Sequence, residues 1–150
     1  KCAACEALGA ERGINYREAD FVAVVKELTG GRGVDVVLDI VGGDYLPRNL
    51  EALAMEGRLV QISTLAGPKA EINLWTVMQK RLTIVGSTLR ARTVAEKTGL
   101  AQAVRAHVWP IFESGVLRVV VYRTFPLREA AAAHRLLESS EHIGKILLTM

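Results

Sequence analysis

Apolar positions along this chain alternate between two patterns: near-continuous runs, and recurrence every three to four residues. The clearest run is VDVVLDIVGG (34–43), which predicts a strand over 34–41 buried on both faces and closing into a turn at two glycines. Before it, DFVAVVKELTGG predicts a helix with Asp20 as N-cap, Phe21, Val24, Val25 and Leu28 on one face, and a glycine stop. The GGRG segment (30–33) precedes a strand rather than following one, so it reads as a helix cap and turn. KCAACEALGA reads as the end of a helix with a left-handed cap at Gly9, and GINY (13–16) as a short strand.

The alternation continues to the other end. DYLPRNLEALAMEG (44–57) predicts a helix with Leu46, Leu50 and Leu53 on one side and Gly57 as terminator. RLVQIST (58–64) predicts a strand, INLWTVMQKR (72–81) a short helix, and LTIVGST (82–88) a further strand. Residues 93–115 predict a long helix bearing Leu100, Ala103, Val104, Val108 and Ile111, bent at Pro110. RVVVYRTF (118–125) reads as a strand or an extended connection, PLREAAAAHRLLESS (126–140) as a helix with Pro126 at its start, and GKILLTM (144–150) as a final strand.

Strands alternating with helices, the strands being almost wholly apolar, imply an α/β fold with a doubly wound parallel sheet. Such sheets bind ligands beyond the carboxyl ends of their strands, where loop amides and helix N-termini gather. Three strand exits stand out here: DIVGG, ISTLAG and GSTLRAR. Each brings glycine, small residues or hydroxyls to the place where a ligand would lie.

Composition narrows the function classes. The chain has 150 residues, 50% of them hydrophobic, enough for one domain with a real core. No apolar run approaches the ~20 residues of a membrane span, and the first residues lack the pattern of a signal peptide. The net charge is +3, but the basic residues are scattered among acids and aromatics make up only 5%, which argues against nucleic-acid binding. Cys2 and Cys5 have no second pair with which to bind zinc and give no disulfide framework, in keeping with a reducing, cytoplasmic compartment. His107 and His134 fall on or beside apolar helix stripes, and His142 has no carboxylate or cysteine partner in sequence. Asp39, inside a strand, is expected to bond nearby backbone amides. No catalytic triad, paired carboxylates or metal-ligand spacing stands out, so no residue is assigned a catalytic or metal role.

The segments ALGA, INYRE, VDVVLDIVGG, GRLVQIST, TLRAR, VWPIFESG and EAAAAHRLLESSEHIGKILL, in this order, resemble the zinc-independent quinone oxidoreductases of the medium-chain dehydrogenase/reductase superfamily. The resemblance spans essentially the whole chain. It implies a partial, Rossmann-like dinucleotide-binding domain over 1–150, lacking the first strands, the glycine-rich phosphate loop and the amino-terminal catalytic domain. None of the 13 glycines forms a G-x-G-x-x-G. The family's strand order would make GINY strand three, with 34–41, 58–64 and 144–150 as adjacent strands four, five and six.

The same resemblance implies NADPH as cofactor and hydride transfer to a quinone or other electron-poor carbonyl or enone acceptor. It places Tyr16 by the adenosine ribose and Lys1 by the 2′-phosphate. Val41, Gly42 and Gly43 would border the cofactor, with Ser63 and Thr64 at the nicotinamide ribose. The backbone of Leu89 and Arg90 would meet the carboxamide, while Gly144 and Lys145 would form a carboxyl-terminal contact. It also implies a homodimer formed by antiparallel pairing of residues 82–88. Two other readings stay open on the sequence: a non-catalytic nucleotide-binding or interaction domain, and a methyltransferase-like doubly wound domain.

Overall fold

Three parallel strands organise the middle of the chain. The computed structural model describes residues 1–150, which form two units, one of Ile14–Arg92 and one of Lys1–Gly13 with Thr93–Met150. In the first unit, α2 (Phe21–Leu28), β1 (Val34–Asp39), α3 (Tyr45–Ala52), β2 (Leu53–Gln61), α4 (Leu74–Gln79) and β3 (Thr83–Gly86) follow one another; α1 (Cys2–Ala7) belongs to the second unit. The sheet order is β1-β2-β3, parallel throughout, with Val37 opposite Leu59 and Leu59 opposite Ile84.

Local chemistry accounts for the boundaries of α2. The Asp20 carboxylate accepts from the Val22 amide at 3.0 Å, satisfying one of the helix's unpaired N–H groups. At the other end, Gly30, Gly31 and Gly33 all have positive φ, and the Thr29 hydroxyl accepts from the Gly33 amide at 2.8 Å, making the expected cap and turn. Leu50, Leu53 and Leu59 form the buried core, with Val34, Val37, Leu46, Ile72, Val77 and Leu82 packed around them.

Four expectations are corrected in this unit. Residues 13–16 form no strand: Asn15 Oδ1 accepts from the Arg17 amide, and its carbonyl accepts from Glu18 and Ala19, turning the chain. The helix over 44–57 stops at Ala52 and Leu53 already opens β2, so the strand runs 53–61 rather than 58–64. Gly57 therefore lies within a strand irregularity, after Glu56 with φ of 60°, and does not terminate the helix. Finally, β1 is buried on one face only, since Val36, Leu38 and Ile40 are exposed and β1 stands at the sheet's margin.

Lys80 explains why α3 can end without a glycine. Its ammonium donates to the carbonyls of Leu50 (3.1 Å), Glu51 (2.9 Å) and Leu53 (2.7 Å), orphan acceptors at the helix's end. Burial, and then the nearby Lys26 ammonium, hold Lys80 below the usual lysine range. Lys80→Met, which keeps the aliphatic stem, is expected to cost about 2 kcal/mol because it removes a charged donor from three carbonyls. Urea denaturation checks this, and a loss under about 0.5 kcal/mol would show that water replaces the ammonium freely.

In the second unit, α5 (Val94–His107), α6 (Trp109–Glu113), β4 (Val121–Pro126), α7 (Ala130–Glu138) and β5 (Lys145–Thr149) complete the chain. Thr93 and Glu96 form a reciprocal capping box at the start of α5. The long helix expected over 93–115 is two helices that divide just before Pro110, whose ring cannot continue the ladder. His107 and His134 are exposed on helix flanks. Residues 118–125 contain a true strand, and β4 pairs in parallel with β5. The expected placement of 144–150 beside 58–64 is thus overturned: β2 has β3 as its second neighbour, and β5 belongs to a separate two-stranded sheet. Gly9, with φ of 107°, follows α1 as expected.

Candidate functional site

The carboxyl ends of β1 and β2 are bound together. Beyond the strands themselves, Ile62 N donates to Asp39 O (3.0 Å), Leu65 N to Ile40 O (3.2 Å), Ala66 N to Val41 O (2.8 Å) and Gly43 N to Gly67 O (3.1 Å). Asp39 is 4% exposed, and its carboxylate accepts from the amides of Val41 (2.6 Å) and Gly42 (3.2 Å to each oxygen). That is the backbone role expected for it. Gly42 and Gly43 follow with φ of 68° and 53°. A side chain at Gly42 would meet Gly67 O at 3.0 Å, and one at Gly43 would meet Ala66 O at 2.9 Å. The two glycines therefore let one strand exit lie against the next.

Gln61 adds a second clasp. Its side-chain amide donates to Ser63 O at 2.6 Å and Asp39 O at 3.3 Å. Between the exits of β2 and β3 this leaves an open trough of about 320 Å³, bordered by Ser63, Thr64, Gly86, Ser87 and Thr88. Arg92 fixes the far wall, donating from Nε to Thr88 O (3.1 Å) and from its terminal nitrogen to Ser87 Oγ (3.3 Å). A Cβ on Gly86 would meet nothing within 4 Å, so the floor is open there. Four hydroxyls around one trough can donate and accept toward a polyhydroxylated ligand or an amide.

Of the residues singled out from sequence, Val41, Gly42, Gly43, Ser63 and Thr64 come together at these exits, and Leu89 and Arg90 follow β3 in an exposed turn. Tyr16 lies elsewhere in the same unit, along an apolar recess of about 370 Å³ on the open side of β1. Phe21 and Tyr45 stack in that recess with centroids 5.7 Å apart, and the Arg48 guanidinium lies 4.5 Å from the Phe21 centroid while its hydrogen bond holds Asp20 below the usual carboxylate range. Lys1, Gly144 and Lys145 belong to the other unit. Lys1 Nζ donates to the carbonyl of Ser140. A side chain on Gly144 would fall 2.2 Å from Val120 O, so this glycine serves close backbone packing.

Sequence reasoning marks the GSTLRAR exit as a whole without assigning Ser87 or Thr88 a contact, favours Arg92 as a surface charge, and does not single out Gln61. The signal was present, since Ser-Thr-Leu follows both β2 and β3, at 63–65 and 87–89. No three His, Cys, Asp or Glu side chains come together in the way that would hold a metal ion. No helix is long and apolar enough to cross a membrane.

Loops beyond the carboxyl ends of parallel strands are where α/β sheets of this class bind ligands. Comparison with known proteins gives the family: residues 8–148 match the model of the zinc-binding dehydrogenases, and the chain belongs to that family, within the medium-chain dehydrogenase/reductases. It is 35% identical over 142 residues to quinone oxidoreductase 1 of Escherichia coli K12, covering 93% of this chain and 43% of that protein. It is 34% identical over 146 residues to a Burkholderia 2-haloacrylate reductase, covering 94% of this chain and 42% of the relative. Among solved structures, the cyclopropanase of the curacin A pathway superposes with a TM-score of 0.80 at 30% identity, covering 100% of this chain and 44% of that one. The chain thus spans less than half the length of these relatives.

Proposed function

We propose that this chain is the cofactor-holding part of an NADPH-dependent oxidoreductase that reduces a quinone or another electron-poor carbonyl or enone without zinc, in the cytoplasm. The observation that carries this reading is the hydroxyl-lined trough at the ends of β2 and β3, beside the clasped exits of β1 and β2. When bound, the nicotinamide supplies a hydride to the acceptor. In this reading Ser63 and Thr64 hold the nicotinamide ribose, and the backbone at Leu89 and Arg90 orients the carboxamide. Val41, Gly42 and Gly43 form the wall along which the cofactor runs, and Asp39 keeps that wall in shape. Tyr16 meets the adenosine ribose. Lys1 and Lys145 supply point charges for the 2′-phosphate, with Gly144 setting the latter's position. None of these residues is assigned a proton or hydride.

The full-length protein is expected to bind NADPH about tenfold more tightly than NADH in a fluorescence titration. Equal dissociation constants would remove the 2′-phosphate reading. Its reductase activity is expected to survive dialysis against a chelator, and loss restored by zinc would overturn the zinc-free reading. A homodimer through residues 82–88 is part of the proposal.

A further inference from the structure

A second recess, of about 290 Å³, lies between α7, β5 and the turn joining them. Its polar wall consists of His134, His142 and Lys145, and Leu137, Ile146 and Leu148 contribute apolar surface. No carboxylate lines it. Glu138 and Glu141, the nearest acids in sequence, are exposed to solvent outside it. The turn carrying these groups is fixed, because Gly144 packs against Val120 and the Lys145 amide donates to Val120 O at 2.8 Å.

His142 gives the recess its chemistry. Its Nδ1 is buried and has no hydrogen-bond partner in the chain. A polar nitrogen buried without a partner costs about 1–3 kcal/mol, a cost that a hydrogen-bonding group bound in the recess would remove. Tyr122 meets the imidazole edge-on, with centroids 6.5 Å apart, and orients the ring. The recess therefore offers an unpartnered imidazole nitrogen and an ammonium beside apolar side chains. Its size stands at the small end of ligand pockets, which start near about 300 Å³.

We propose that this recess binds a small organic carboxylate, its anionic end held by His142 and Lys145 and its apolar body on Leu137, Ile146 and Leu148. The proposal does not rest on the cofactor reading above; it is an alternative to that reading's use of Lys145 at the 2′-phosphate, and leaves the rest of that reading untouched. A bare phosphate would leave the apolar side chains unused. A neutral molecule would make no use of the ammonium's charge.

The test is a titration of the whole chain, followed by histidine imidazole and Lys145 amide signals in NMR. Benzoate and hexanoate are the probes, with benzyl alcohol, inorganic phosphate and adenosine 2′,5′-bisphosphate for comparison. Saturable shifts at His142 and Lys145 with a Kd on the order of 1 mM or tighter, at least about tenfold weaker for benzyl alcohol and for Lys145→Met, are expected. Lys145 is exposed, so this variant leaves the fold intact, and His142→Phe gives an independent loss of the same binding. No saturable shift with either carboxylate would overturn the proposal. So would tighter binding of phosphate or of the bisphosphate at the same signals, which would assign Lys145 to a phosphate.

Discussion

Leu59→Ala is expected to lower the unfolding free energy by about 3 kcal/mol, a large share of what a domain of this size has. Leu59 is 0% exposed and stands on the central strand, opposite Val37 on one side and Ile84 on the other. It shares the core with Leu50 and Leu53, so truncation leaves a cavity bordered by both helix and sheet. The same strand ends in Gln61, whose side chain ties the exits of β1 and β2 together. Urea denaturation gives the magnitude. Hydrogen exchange should place the loss at the amides of β1, β2 and β3. Leu59→Met conserves volume and is expected to cost less than about 1.5 kcal/mol. Equal losses for the two substitutions would show that Leu59 acts through shape at that point rather than through buried volume.

Local signals in the sequence carried a good part of this structure. Asp20 as N-cap, the glycine turn at 30–33 and the amide-binding role of Asp39 each depend on residues within three or four positions, and each could be read directly. The end of α3 could not. Leucines at 46, 50 and 53 keep helical spacing straight across the change to strand, and the group that closes the helix, the Lys80 ammonium, comes from 27 residues beyond Leu53. Strand partnership was illegible for a similar reason: GKILLTM is an apolar strand by pattern, and only the chain's path decides that it pairs with 121–126. At the site, glycines and hydroxyls at strand exits were visible as residue types. That Gly42 and Gly43 pack on the 64–67 loop, and that Arg92 braces Ser87 and Thr88, depends on contacts between separate exits.

Ile84→Pro is expected to dissociate the proposed homodimer, weakening self-association by at least about 100-fold, whereas Val85→Pro should instead damage the sheet of a single chain. β3 stands at the margin of its sheet and pairs only with β2. Ile84 and Val85 are 43% and 41% exposed, so an apolar strand without charge or proline is left uncovered, which natural proteins avoid. A second copy pairing across a two-fold axis would cover both edges at once. Backbone direction decides which residue to change. The Ser87 amide donates to Gln61 O at 3.0 Å, so it points toward β2. Amides alternate in direction along a strand, so that of Val85 also points toward β2, while those of Ile84 and Gly86 point outward. Proline at 84 therefore removes an outward donor and leaves the β2–β3 ladder its bonds. Sedimentation equilibrium reads the outcome, with circular dichroism to show that the fold persists. A monomer before substitution, or an unchanged dimer in the well-folded Ile84→Pro variant, would place the interface elsewhere or remove it.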